Sequence, residues 1–281
     1  MSAPSAPLRV AILGHGAIGR VVARRIHAGV LPGFVLAGVV DQQQLGDIDY
    51  PQLDLDEVAG AADIAVECIN PAFASRRVVA LLDAGVDVVL CSVGALADEQ
   101  THAEVMAAGP GRVVFPTGAI GGLDLLTSVG RFEALDSVTV TTTKLPKSLI
   151  QHWMSGPQRA EILATAGPLR VYAGPAREAC GLFPQSINIA AAAALAVGDF
   201  DIVTVELNVD PAAVLTRHVI RAHGPTGEYE FSVENLPSPD NPRTSSIVPA
   251  SILHALNGLA PRQHTLLRPA LIASSNGISD D

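Results

Sequence analysis

Lysine is nearly absent from this chain: Lys144 and Lys147 are the only two in 281 residues. The other basic side chains are arginines scattered without a run, and the formal charge is -10. No basic stripe exists to track a phosphate backbone, so nucleic acid is not an expected partner. Aromatic residues are scarce as well, at 4% with 1 Trp, so a core must be built from Ala, Val, Leu and Ile. Such residues form the buried parallel strands of layered α/β proteins. Long apolar runs are missing, and no membrane association is expected. The cysteines Cys68, Cys91 and Cys180 have neither CxxC spacing nor a His cluster beside them. No metal site is expected; the odd count suits a reducing compartment, and each thiol reads as a small buried apolar residue. Met1 to Pro7 carries no positive region and no apolar stretch, so it reads as a frayed tail, and a cytoplasmic location is expected.

The length suits about two domains. Leu8 to Leu13 is an aliphatic run broken at Gly14, and apolar residues then recur at helical spacing from Ala17 to Ala28. Aliphatic runs at 34–40, 63–68, 86–91 and 112–115 are separated by helix-length stretches such as 72–84 and 98–108. Alternating β and α elements predict a Rossmann-type, doubly wound parallel sheet. Beyond Phe115 the pattern changes. Ser137 to Thr143 alternates, a helix is predicted from Pro184 to about Val197, and strands follow at 202–209, 216–223 and 228–234. Half-exposed strands of this kind predict a second α+β domain with an open mixed or antiparallel sheet. Thr244 to Leu256 reads as a helix capped by Thr244 or Ser245, one that packs back on the first domain. The expected division is 1–118 plus 241–281 for the first domain and 119–240 for the second.

Gly14-His15-Gly16-Ala17-Ile18-Gly19 is a GxGxxG placed after a strand and opening a helix, the context in which it marks a dinucleotide site. Gly14 permits the turn, Gly16 admits the diphosphate, Gly19 lets helix pack on strand, and the helix N-terminus, from Ala17 and Ile18 on, faces the phosphates. Asp41 ends the second strand about 20 residues beyond Gly19, the offset at which a carboxylate accepts from ribose hydroxyls. It repels a 2′-phosphate, so NAD is expected over NADP, with Gln42 to Gln44 leaving NADP tolerated. Of the eight histidines none stands out by pattern. Strand parity puts His218 with Ile220 and Ala222 on one face and His223 with Val219 and Arg221 on the other. Lys144 and Lys147 suit either an anionic substrate or a solvent-facing turn, and Asn241-Pro242-Arg243-Thr244-Ser245 suits either an anion site or simple helix capping.

Taken together, the glycine loop, Ser92-Val93-Gly94-Ala95, Gly118 to Asp124 (GAIGGLD), Phe183-Pro184 with Asn188, Asp210-Pro211 followed by His218, and Asn241 to Ser245 (NPRTS) resemble the L-aspartate dehydrogenase family. The resemblance runs from Leu8 to about Leu259. It implies a split Rossmann domain, NAD contacts near Ala119 and Asn188, and His218 as the catalytic histidine. It further implies oxidative deamination of L-aspartate through iminoaspartate to oxaloacetate and ammonia, and the reverse amination, by a homodimer or larger homo-oligomer. Lys144, Arg243, Thr244 and Ser245 become candidates for the substrate carboxylates. The chain departs from the family at Thr216 and Ser186, where asparagines are usual. Other readings are a homoserine or dihydrodipicolinate type of reductase, or a non-catalytic NAD-binding regulator.

Overall fold

The computed structural model describes residues 6–184 and 186–260. The chain opens with β1 (Leu8–Leu13), α1 (Gly19–His27) and β2 (Phe34–Val40). It continues through α2 (Val58–Ala61), β3 (Ile64–Glu67), α3 (Pro71–Asp83), β4 (Asp87–Leu90), α4 (Glu99–Ala107) and β5 (Val113–Val114). The five strands pair in parallel in the order β2-β1-β3-β4-β5. Val10, Ala11, Ile12 and Leu13 are all fully buried because helices cover both faces, and β1 therefore reads as an unbroken aliphatic run. The order switches direction at β1 and β3, so the crevice for a ligand lies over their C-terminal ends. α3 starts sharply beside that crevice: Asn70 Oδ1 accepts from Phe73 N at 2.9 Å, and Pro71 takes the first helical position.

The second half comprises α5 (Leu123–Phe132), β6 (Ser137–Lys144), α6 (Pro146–Leu149), α7 (Gly156–Ala164), β7 (Leu169–Pro175), α8 (Ala176–Leu182) and α9 (Asn188–Val197). Three strands follow, β8 (Val203–Val209), β9 (Thr216–Gly224) and β10 (Gly227–Asn235), then α10 (Val248–Leu259). The sheet order is β10-β9-β6-β8-β7. β6 pairs parallel with β8 and the other pairs are antiparallel, so the sheet is mixed. Its inner face takes Val138, Val140, Thr142 and Lys144, while Thr139, Thr141 and Thr143 look outward. α5 and α9 pack together over this core, and the run Ala190 to Ala194 of α9 is buried, its short side chains allowing a close approach.

Three expectations are corrected. No helix starts at Pro184: α8 ends at Leu182, a turn with Ser186 N donating to Phe183 O at 2.9 Å follows, and α9 begins only at Asn188. The wholly buried Phe183 ring anchors the break. The last helix begins at Val248 and not at Thr244, because Ser245 is drawn into a bridge with Pro237 and Pro249 opens the helix proper. Cys180 is a buried residue, whereas Cys68 and Cys91 are buried only in part, their thiols turned inward and some of the rest of each residue exposed.

α10 does return to the first sheet, as expected. Ile252 and Leu256 are fully buried among Val22 and Ile26 of α1 and Val10 and Ile12 of β1. Among the described residues no helix is long and apolar enough to cross a membrane. Replacing Leu256 with Ala should lower unfolding free energy by about 2–5 kcal/mol, read by urea denaturation. A loss below about 1 kcal/mol would mean that α10 is an appendage and not part of this core.

Candidate active site

The strand ends of the first sheet face the inner end of the second across a cleft of about 280 Å³. One wall is the glycine loop. At Gly19 an added Cβ would run into the carbonyl of Gly14, so only glycine lets α1 start that close to β1. At Gly16 an added Cβ meets nothing within 4 Å, because that side opens onto the cleft. α1 has no side-chain cap and no acidic residue in its first turn, so the positive end of its dipole is left open to an anion, with Arg20 N and Val21 N already donating to Gly16 O and Ile18 O. These features fit a dinucleotide diphosphate. Gly16, Ala17 and Ile18 line the cleft; Gly14 and Gly19 shape it from behind.

Asp41 sits at the end of β2, outside the cleft lining. Its Oδ2 accepts from His15 N at 2.9 Å and its Oδ1 from Gln43 N at 3.0 Å. Partial burial alone would push this carboxyl up; the Gln43 and His15 amides outweigh it and hold the group below its usual range. Asp41 therefore braces the glycine loop while keeping a negative charge at the end of β2.

The opposite wall comes from the second sheet. The β6–β9 register sets His218 beside Thr142, and Thr142 Oγ1 lies 3.0 Å from His218 Nδ1. His218 is 1% exposed, and its Nε2 is a buried polar atom without a hydrogen-bond partner. Burial, and then the nearby Lys144, push the imidazole down to about 3, so it is neutral at physiological pH. In the tautomer whose Nδ1–H donates to Thr142 Oγ1, the bare lone pair is on Nε2. Lys144, on the same face two residues beyond Thr142, is 4% exposed and its Nζ donates to Arg243 O at 3.0 Å. The solvent-facing alternative for this lysine is thus overturned, while Lys147 is exposed on α6 and lies outside the cleft.

Ala119, Asn188, Arg243, Thr244 and Ser245 all line the cleft. Asn188 Oδ1 accepts from Gly94 N at 3.1 Å, and Ala119 O accepts from Asn235 Nδ2 at 2.9 Å. Arg243 Nη2 donates to Ile150 O at 3.2 Å. Thr244 and Ser245 reach the cleft from a loop, not from a helix N-terminus, which removes the helix dipole from their account.

Residues 14–110 match the model of the homoserine dehydrogenase NAD binding domain, and residues 124–259 match that of the aspartate dehydrogenase C-terminal domain. The chain is 35% identical over 260 residues to an L-aspartate dehydrogenase of Thermotoga sp. (strain RQ2), covering 90% of this chain and 97% of the relative. The chain belongs to the L-aspartate dehydrogenase family. A relative from Ruegeria pomeroyi is 35% identical over 89% of this chain and 91% of its own. The crystal structure of aspartate dehydrogenase from Thermotoga maritima superposes with a TM-score of 0.73 at 32% identity, over 91% of this chain and 97% of that one. A hyperthermophilic archaeal homoserine dehydrogenase in complex with NADPH shares the fold alone, with a TM-score of 0.55 at 13% identity.

Two residues behind the cleft, Thr142 and Glu67, were not singled out in the sequence, and Ser186, which lines it, stood out there only as a departure from the family. Thr142 is one of several threonines in a strand, and only the facing strand picks it out as the imidazole's partner. Ser186 Oγ is, with His218 Nε2, the other buried polar atom without a partner among the described residues, and Ser186 also lines the cleft. Glu67, wholly buried at the end of β3, hides in an aliphatic run.

Burial, and then Arg243, lower Lys144 from 10.5 to about 8. A cation whose folded-state pKa is depressed costs stability fully below about 8, and the cost is relieved as pH rises from about 8 toward 10.5. Lys144→Met should therefore gain about 1–3 kcal/mol at neutral pH. The gain should shrink across that window in urea unfolding at a series of pH values. A variant less stable than the parent at neutral pH would contradict the buried-cation account.

Proposed function

We propose that the protein is an NAD-dependent L-aspartate dehydrogenase, converting L-aspartate, NAD and water to oxaloacetate, ammonia and NADH through iminoaspartate, and catalysing the reverse amination. The observation that carries the reading is the neutral, buried His218 with its partnerless Nε2 in a cleft whose far wall is the glycine loop. When bound, the nicotinamide ring accepts the Cα hydride or returns it. Gly14, Gly16, Ala17, Ile18 and Gly19 hold the diphosphate, Asp41 faces the ribose, and Ala119 and Asn188 flank the nicotinamide end. NADP is the weaker alternative, because Asp41 is an anion with no arginine among Gln42, Gln43 and Gln44.

His218 Nε2 takes a proton from water as its oxygen adds to the imine carbon, then delivers it to nitrogen as ammonia leaves. Such proton transfer is worth on the order of 10²- to 10⁴-fold in rate. Lys144 and Arg243 meet the two substrate carboxylates, with Thr244 and Ser245 as hydroxyl donors. The arriving dicarboxylate offsets the Lys144 charge that helps depress the imidazole, so proton affinity at Nε2 rises once substrate is in place. Burial keeps bulk water from competing.

We assign residues 1–118 with 241–281 to the dinucleotide-binding domain and 119–240 to the substrate domain, although 261–281 lie outside the described residues. The outward face of the second sheet carries cross-strand ion pairs, Arg221 with Glu230 at 2.7 Å and Arg217 with Glu234 at 3.7 Å. This open polar face is the surface we assign to a homodimer or larger homo-oligomer, and the low charge-run content suits a cytoplasmic enzyme.

Amination of oxaloacetate with ammonium, followed by NADH absorbance, tests substrate and cofactor together. Turnover is expected with NADH above NADPH; turnover only with homoserine would replace the reading. His218→Ala should lose about 10²-fold or more in kcat while keeping NADH affinity within about twofold. Retention of most turnover would remove His218 from the chemistry. Asp41→Ala should narrow the preference for NADH over NADPH, measured as the ratio of their Kd values.

A further inference from the structure

We infer that Glu67 selects the oxidation state of the bound dinucleotide: its buried carboxylate sets a negative charge beneath the nicotinamide end of the cleft and favours the cationic oxidised ring over the neutral reduced one. The inference rests on the reading of the cleft as an NAD site.

Glu67 is the last residue of β3 and is 0% exposed. Its Oε1 accepts from Ile69 N at 2.8 Å, Asn70 N at 3.1 Å and Ser92 Oγ at 3.0 Å. Its Oε2 accepts from Ser92 N at 2.9 Å. Three of these four partners are amide N–H groups, which only donate. A proton on Oε2 would face an N–H with nothing to receive it, and one on Oε1 could go only to the Ser92 hydroxyl, which would then give up its own bond to Glu67. Burial is the largest influence and leaves this carboxyl raised above its ordinary range, with the hydrogen bonds from Ser92, Ile69 and Asn70 pulling it back. The donor set opposes it and has the arrangement that holds a carboxylate.

No salt bridge among the described residues includes Glu67, so its charge is shared over dipoles and not neutralised by a cation. The segments it ties together, Cys68 to Asn70 after β3 and Cys91 to Ser92 after β4, are themselves cleft lining. Burial, and then Glu67, push up the Cys68 thiol next to it in the chain; burial, then Cys68 and then Glu67, push up that of Cys91. A dinucleotide in this topology lies along the C-terminal strand ends. Its ribose at Asp41 on β2 and diphosphate at the glycine loop on β1 leave β3 and β4 for the nicotinamide end. That ring is positively charged only when oxidised. An anion below it therefore distinguishes the two forms, whereas the loop anchoring that Glu67 also performs acts on both alike.

Isothermal titration of the full chain with NAD and with NADH, without substrate, separates charge from anchoring. Glu67→Gln should weaken NAD by about tenfold more than NADH, the size expected for one partly screened charge at nearby range. Equal weakening of both forms, or a larger loss for NADH, would overturn the inference while leaving the NAD site intact. Failure of the wild-type chain to bind either form would remove the cofactor reading and this inference with it. A second measurement needs no variant. The infrared spectrum of the deuterated wild-type protein at neutral pH should lack the C=O band of a buried neutral carboxyl group, and a Glu67 band of that kind, assigned by its absence from Glu67→Gln or by isotope labelling, would refute an ionised Glu67.

Discussion

The pairing of β6 with β9 in one register is the constraint on which the site depends. It brings Thr142 opposite His218, turns both inward, and puts Lys144 on the same face. Strand side chains alternate, so a slip of one residue in β9 would send the imidazole to the outer face and bring Arg217 inward, while Thr142 and Lys144 of β6 kept the inner face without it. Val138, Val140, Ile220 and Ala222 occupy the remaining inner positions and are all buried. The apolar core thereby holds in place two polar groups that it would otherwise expel.

Charge in the cleft is arranged by position. A buried ammonium at Lys144 stands at the second-sheet end, with a neutral imidazole beside it, and the buried carboxyl group of Glu67 lies at the strand ends of the first sheet. Each is solvated by the fold: Lys144 by the Arg243 carbonyl, His218 by Thr142, Glu67 by three amides and a hydroxyl. Buried ionisable groups cost stability unless partnered. Their concentration at one cleft therefore marks it as the place where stability has been given up for chemistry.

The glycine loop was legible because its requirements are local: a tight turn, a close contact of the helix start at Gly19 with the Gly14 carbonyl and an open side at Gly16 are properties of six consecutive residues. The parity of His218, Ile220 and Ala222 was legible for a similar reason, since alternation along a strand needs no partner. Choosing His218 among eight histidines was not a matter of pattern and came from resemblance to a family. The NPRTS segment was misread as a helix start because capping residues look alike whether or not a helix follows. A bridge from Ser245 to Pro237, contributed by a neighbouring loop, moved the start of α10 to Val248.

By itself the sequence determined the parallel first sheet, the dinucleotide loop and which strand positions face inward, because hydrophobic periodicity and glycine geometry act over a few residues. Only the tertiary structure decided that Lys144 is buried, that Thr142 holds the imidazole and that Glu67 lies under the cleft. Those outcomes depend on which distant strand is the neighbour, and neither solvent exposure nor the supply of hydrogen-bond donors exists until that neighbour is in place.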